Sequence, residues 1–309
     1  MKEKIKIPVN HRKRGRLIFY VCVLAYPMLH YLIFYVGVNI NSVFLAFQEY
    51  DPDLAVYGFT GFGNFGKFFS DMFRGTVLLT SLKNSMILWA ATVFVGLPLN
   101  LFFSFFLYKK VPLNGLFRVI LYLPQILSAV VMSMMYKYFL DRGLPYVLTL
   151  MGMKNVPNFL VDNATAYASI VVFNIWTGFG MQVVVYSSAM SRVSEELVES
   201  GEIDGMNTFQ ELIYIVLPLI YPTITLFVVS GIAGIFTNQA ALYNFFQDQA
   251  ENKLYTLGYY LFVQVVGRNS SPADYPYAAA AGVTLTLVAA PLTLLVKWVM
   301  ERFDPVPES

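Results

Sequence analysis

Six stretches of the chain, 17–47, 86–108, 119–136, 164–190, 212–236 and 277–296, contain no Asp, Glu, Lys or Arg. A helix that crosses the hydrocarbon core of a bilayer needs about 20 mostly apolar residues, and each stretch meets or approaches that length. They are apolar on all sides and rich in Gly and Ala, so they read as spans of a helical bundle, not as amphipathic surface helices. Composition agrees: 57% of the residues are hydrophobic and 13% charged, against about 25% charged in an average chain. A soluble fold so poor in charge would expose large apolar patches. The expected fold is an all-α membrane protein with six transmembrane helices. The first stretch is longer than a bilayer requires and is expected to tilt or project outward.

Six crossings return the chain to the side on which it started. With that side taken as the cytoplasm, the inner segments 1–16, 109–118, 191–211 and 297–309 hold 13 Lys and Arg in 60 residues, and the outer segments 48–85, 137–163 and 237–276 hold 8 in 105. Cytoplasmic loops carry the excess of positive charge, so both termini are expected in the cytoplasm. The apolar run behind the basic residues 1–16 is too long for a signal peptide and has no A-x-A site, so it is expected to remain as the first span. The outer segments are rich in Gly, Pro, Asn and aromatics and are expected to be ordered connections or short interfacial helices. They are too short for a domain with its own core.

Several chemistries are excluded. A net charge of +2 offers no footprint for nucleic acid; the expected surroundings are membrane lipid. The single cysteine, Cys22, rules out a disulfide framework or a thiolate metal cluster, and His11 and His30 leave little for metal or triad chemistry. No catalytic, cofactor-binding or metal-ligating residue is expected. His30 has no carboxylate at helical spacing and reads as a hydrogen-bonded core histidine, not a proton relay. Gly61, Gly63 and Gly66 fit G-x-G-x-x-G, and Gly61, Gly66 and Lys67 fit the start of a phosphate-binding loop. But Phe68 stands where Ser or Thr must hold magnesium, and no preceding strand or βαβ unit is expected. The segment reads as a glycine-rich loop with an interfacial Lys. The triplets at Asn163 and Asn269 fit the glycosylation pattern, which is short enough to arise by chance.

The inner segment between the fourth and fifth spans is the most informative. Glu195, Glu196, Glu199 and Glu202 lie at helical spacing and form an acidic face. Gly205 can take positive φ and end that helix, and Asn207 or Thr208 can cap a second one. Pro218 and Pro222 kink the approach to the next span. The expectation is a short helix–turn–helix beneath the membrane, suited to docking in a partner's groove; a solvated acidic loop is the plainer reading.

Glu199, Gly205 six residues later, and Ile215-x-Leu217-Pro218 resemble the "EAA" signature of ABC importer permeases. In that family the signature forms the coupling helices that seat in a cleft of the ATPase subunit. Asp204-Gly205, Phe209 and Pro222 resemble its carbohydrate branch, the maltose and glycerol-phosphate type permeases. Gly63-Asn64-Phe65 with Phe68-Phe69 resembles the family's first outer loop, and Asn84-Ser85 the start of its permease core. Tyr122-Leu123-Pro124, Trp176 and the run from Tyr277 to Ala281 also fit, in order along almost the whole chain. Two departures stand out: Ser200 and Gly201 replace the alanines after the motif glutamate, and Ser194 replaces a proline usual before it. Both alanine replacements are small, so close docking survives, but glycine costs about 1 kcal/mol of helix propensity.

The resemblance implies a type I importer fold: a basic segment 1–16, a first span with its outer loop over 17–78, a permease core over 79–303 with a coupling loop at 191–218, and a tail at 304–309. It implies one permease subunit of a prokaryotic ABC importer for a sugar or oligosaccharide, in the cytoplasmic membrane. ATP and magnesium would sit on two partner ATPase subunits, with no cofactor on this chain. The other implied partners are a second homologous permease and an extracytoplasmic solute-binding protein. The coupling residues implied are Glu199, Ser200, Gly201, Asp204, Gly205, Phe209, Leu217 and Pro218.

What the spans contain fits a neutral cargo. Proton-coupled carriers place ionisable groups within the bilayer, whereas the polar residues here are amides. Amides donate and accept hydrogen bonds and suit hydroxyl-rich solutes, while Trp and Tyr faces suit sugar rings. The candidate path residues are Gln125, Asn174, Trp176, Gln182, Asn238, Gln239 and Tyr243. Interhelical packing is the competing role for each amide. An ion-coupled secondary transporter or a non-transporting membrane scaffold remains open as an alternative.

Overall fold

The computed structural model describes residues 9–74 and 77–306; half of the basic segment 1–16 and the last residues of the tail lie outside them. Four unbroken helices are long and apolar enough to cross a membrane: α1 (Gly15–Leu45), α3 (Val77–Tyr108), α6 (Ala166–Met190) and α12 (Asp274–Arg302). Two bent pairs, α4 (Asn114–Ile126) with α5 (Ala129–Leu150) and α8 (Thr208–Leu219) with α9 (Tyr221–Gly234), bring the number to six if each pair is one span. Between them lie a hairpin of β1 (Gln48–Asp51) and β2 (Val56–Phe59) and the short helices α2 (Gly63–Phe73), α7 (Glu195–Ile203), α10 (Leu242–Phe246) and α11 (Leu257–Val266).

One expected span is corrected, and the kink expected at the entry to another is present. The third, expected as one helix over 119–136, breaks at Leu127 and Ser128, whose extended backbone turns the chain by 104°. Hydropathy does not register the break, because the residues on either side are equally apolar. The fifth, expected over 212–236, bends by 71° at Ile220. Pro218 and Pro222 flank the bend and each removes an N–H from the helical ladder. Among the described residues the helix of the second span runs from Val77, ahead of the expected start at 86.

The outer segment after α1 was expected to hold no strand, and this too is corrected. β1 and β2 pair antiparallel with Gln48 opposite Phe59 and Asp51 opposite Val56. Asn64 Nδ2 donates to the Ala46 and Gln48 carbonyls, pinning α2 to the hairpin. A strand therefore precedes the glycine-rich segment, but among the described residues no βαβ unit forms, Phe68 is buried, and Lys67 Nζ sits 5.3 Å from the centre of the Tyr277 ring. A glycine-rich turn with an interfacial lysine is what the structure contains.

The segments assigned to opposite sides by charge gather at opposite ends of the bundle. At one end Lys253 Nζ reaches the Val161 carbonyl, the Tyr57 hydroxyl reaches that of Pro272, and Asn84 Nδ2 donates to Lys253 and Tyr255. At the other, Asn114 Nδ2 donates to the Leu107 carbonyl and the Tyr221 hydroxyl meets Met300. A core at the first end joins Phe68, Leu78, Ile235, Leu257 and Tyr277. A core at the second joins Leu101, Phe105, Tyr186, Met190, Leu212 and Val216. From Gly15 to Tyr35 every residue of α1 is exposed. His30 therefore lies outside the core, stacked between Tyr26 and Phe34 along the same helix, which corrects its reading as a core histidine.

Candidate functional site

The coupling segment folds by local rules. Ser194 takes the extended backbone of a cap and α7 follows over nine residues. Gly205, at φ +84°, closes it: its N–H donates to the Glu202 carbonyl at 3.1 Å and the Met206 N–H to the Gly201 carbonyl at 3.0 Å. This paired pattern is the Schellman ending, which needs a left-handed residue where Gly205 stands. Of the two capping candidates, Asn207 serves: its Oδ1 accepts from the Phe209 and Gln210 N–H groups, and Gln210 Oε1 accepts from the Asn207 N–H. Such a reciprocal box satisfies donors that a helix start leaves orphaned.

The expected coupling residues divide into an outward and an inward set. Glu195, Glu196, Glu199, Ser200, Glu202, Asp204, Gly205 and Phe209 are exposed. Beside them Leu197, Ile203 and Tyr214 are also exposed, with Ile203 at 85% and Tyr214 at 69%. Apolar side chains held out among carboxylates make a surface built for contact. Gly201 instead points inward and is buried. A Cβ there would meet Met206 Cε at 2.0 Å and Ile215 Cδ1 at 3.0 Å, so glycine lets the turn close onto α8. Leu217 and Pro218 are half-buried, Leu217 packing on the core beneath the loop. A cavity of about 390 Å³ opens beside the acidic face, lined by Lys109, Lys110, Glu195, Glu199 and Glu202.

Most path candidates spend their polar atoms on packing. Asn100 Nδ2 donates to Gln182 Oε1 at 2.7 Å, tying α3 to α6. Asn174 Nδ2 donates to the Ala240 carbonyl at 3.0 Å, and Gln125 Nε2 to that of Thr177 at 2.9 Å. Asn238 Oδ1 accepts from the Ala240 N–H. Tyr243 meets Phe262 edge to face, and Gln239 is half-buried in the same loop as Asn238. Trp176 is 39% exposed and flanks an aromatic group of Tyr136, Phe173 and Phe245. The structure places one of them, Asn238, at the rim of a cavity. It sets Asn238 with Ser85, Trp89 and Thr92 around a space of about 90 Å³, where the buried Trp89 indole N–H has no partner. A lone indole within an apolar run of sequence gives no signal by spacing.

The loop carrying these residues is held away from regular geometry. Ala240, Ala241 and Gln247 have positive φ. The Tyr259 hydroxyl donates to the Gln247 carbonyl, and the Arg268 N–H donates to Asp248 Oδ2 at 2.9 Å. That backbone donor, with the Arg268 charge assisting, holds the Asp248 carboxyl below the ordinary carboxylate range.

The sequence profile of the family described as "Binding-protein-dependent transport system inner membrane component" matches residues 93–306. The chain belongs to that family. It is 28% identical to the diacetylchitobiose uptake system permease protein NgcF of Streptomyces coelicolor, over 91% of this chain and 82% of the relative. It is 24% identical to the arabinooligosaccharides transport system permease protein AraP of Bacillus subtilis, over 87% of this chain and 84% of the relative. Among solved structures, a chain of a bacterial ABC transporter for import of the acidic polysaccharide alginate superposes with a TM-score of 0.79 at 22% identity, covering 95% of this chain and 98% of that one. The fold is that of a type I importer permease. The protein is an ABC importer permease, which removes the secondary-carrier and scaffold alternatives.

Proposed function

We propose that this chain forms half of the translocation path for a sugar or oligosaccharide, in an importer powered by ATP hydrolysis on separate subunits. The carrying observation is the α7–turn–α8 unit, whose α7 carboxylates and apolar side chains Leu197, Ile203 and Phe209 face outward at the end of the bundle where the Lys- and Arg-rich segments meet. A groove in an ATPase subunit with donors along its wall and an apolar floor is complementary to that surface. A second permease would complete the path, and a solute-binding protein would meet the opposite end. Relatives named for oligosaccharide transport support a sugar as cargo, as do charge-free spans lined by amides and aromatics.

Both termini face the cytoplasm in this reading. With Cys22 removed, Pro157→Cys and Ser270→Cys should label from outside and Ser200→Cys only from inside. Docking is tested by Glu199→Lys, which removes a charge-assisted contact worth about 1.5–3 kcal/mol and adds repulsion. The variant should insert at normal levels while the ATPase no longer co-purifies and uptake is lost. Normal association together with normal uptake would reduce the loop to a solvated turn.

A further inference from the structure

Lys109 ends the second span at the C-terminal cap of α3, and its ammonium meets two carboxylates of the coupling loop. It lies 2.7 Å from Glu211 Oε2 on α8 and 3.8 Å from Glu202 Oε1 on α7. The two contacts differ in kind. The Glu202 side chain is 62% exposed, so water and salt screen that pair. The Glu211 side chain is 4% exposed, and its other oxygen, Oε1, is buried with no hydrogen-bond partner. Lys109 is thus the charge that makes the burial of this carboxylate tolerable. Parting such a pair leaves an uncompensated charge in a poorly solvated place, so the pair resists separation.

The tie joins two elements that must exchange force. Glu211 immediately precedes the turns leading to the Ile220 bend. Two residues of α3 upstream of Lys109, Leu101 and Phe105, pack in one core with Leu212 and Val216 of α8. A displacement of α8 therefore has a polar and an apolar route into the second span, and the polar one runs through a single ammonium.

We propose that Lys109 is a positioning residue for energy coupling. It locks α8 to the second span, so that movement of the docked loop is passed to the translocation helices, while its weak contact with Glu202 yields and lets α7 adjust on its partner. This inference rests on the coupling-loop reading above.

The test uses the complete importer in proteoliposomes and reads molecules transported per ATP hydrolysed. Lys109→Met and Glu211→Gln should keep ATPase co-purification and basal hydrolysis but lower that ratio by about fivefold or more, the scale of a typical inter-site coupling. Lys109→Arg should retain it, and the charge-reversed pair Lys109→Glu with Glu211→Lys should recover part of it; a merely structural role would instead lower the amount of assembled importer and leave the ratio of what assembles unchanged. A normal ratio in Lys109→Met with the ATPase bound would overturn the proposal. If the single variants fail to reach the membrane, Lys109→Met with Glu211→Gln leaves no buried charge and decides the matter by the same ratio, lowered or normal. The docking reading fails separately, when Glu199→Lys leaves ATPase association and uptake unchanged.

Discussion

The two ends of the bundle are built by different means. At the coupling end, α7, the Gly205 turn and the Asn207 cap are closed by hydrogen bonds between residues at most five apart. At the opposite end the contacts are long-range: Asn84 Nδ2 holds the Lys253 and Tyr255 carbonyls, Ser85 Oγ accepts from the Leu257 N–H, and Asn174 holds Ala240. The first is a local motif displayed on a core and the second a loop assembly held by spans. A local unit can move as a body when a partner pushes it. An assembly of loops reorders only when the spans beneath it shift.

The largest effect that tests this contrast is expected at Gly205. A β-branched residue at φ +84° costs about 1–2 kcal/mol of backbone strain and undoes the Schellman ending. Gly205→Val should abolish uptake while immunoblots of membranes show normal permease levels, because no span is touched. Substantial uptake would mean that the turn tolerates another geometry and that the local unit is less rigid than its hydrogen bonds imply.

At the opposite end, Asn84→Ala removes two hydrogen bonds and leaves two carbonyls unpaired, a cost of about 1–3 kcal/mol each where they stay buried. The expected result is a lower melting temperature of the purified permease together with reduced uptake, since fold and function are not separable there. A variant that loses uptake without losing stability would make Asn84 a path residue and blur the distinction.

A finer cut compares two amides. Gln182→Ala breaks the bond to Asn100 and should cost about 0.5–1.5 kcal/mol of stability with little change in apparent affinity for substrate. Asn238→Ala, at the rim of the Trp89 cavity, should lower uptake with a smaller change in stability. Transport assays beside thermal melts separate the two, and the reverse pattern would make Gln182 the path residue. Asn207→Ala should remove about 1 kcal/mol of capping and lower uptake only partly, because the core under α8 remains.

The smallest effect concerns pH. The Asp248 carboxyl is held below its ordinary range by the Arg268 N–H, so its contribution to stability is present above the unfolded value of about 4 and is lost as pH falls through the lower folded value. Asp248→Asn should flatten that acid limb in a series of melts, leaving neutral pH almost unchanged. An unaltered limb would assign the acid sensitivity to other carboxylates.

Much of the coupling unit is legible in the sequence because its causes are local. A glycine after an acidic helix and an Asn three before a Gln carry their structural reasons within a few residues. The inward turn of Gly201 was not legible, because it depends on where Met206 and Ile215 come to rest. Glu211 was equally silent: nothing in the local pattern distinguishes a buried carboxylate from Glu195 or Glu196, and only the approach of Lys109 from another helix does so. Among the path candidates, the pattern identified amides but not their partners, so Gln182 and Asn174 read alike as path and as packing.

From the sequence alone came the membrane class, the alternation of the chain between two ends and the position of the acidic helix–turn–helix, since charge-free length and short-range capping do not depend on the rest of the fold. The tertiary structure alone decided that the third span breaks at Leu127 and Ser128, that a hairpin follows the first span, and which polar groups are consumed by neighbours. The break lies within charge-free chain, the hairpin is clasped by Asn64 from α2, and the fate of each amide is set by residues as many as 171 positions away. Hydropathy records how readily a segment leaves water, and it is blind to what that segment meets once it has done so.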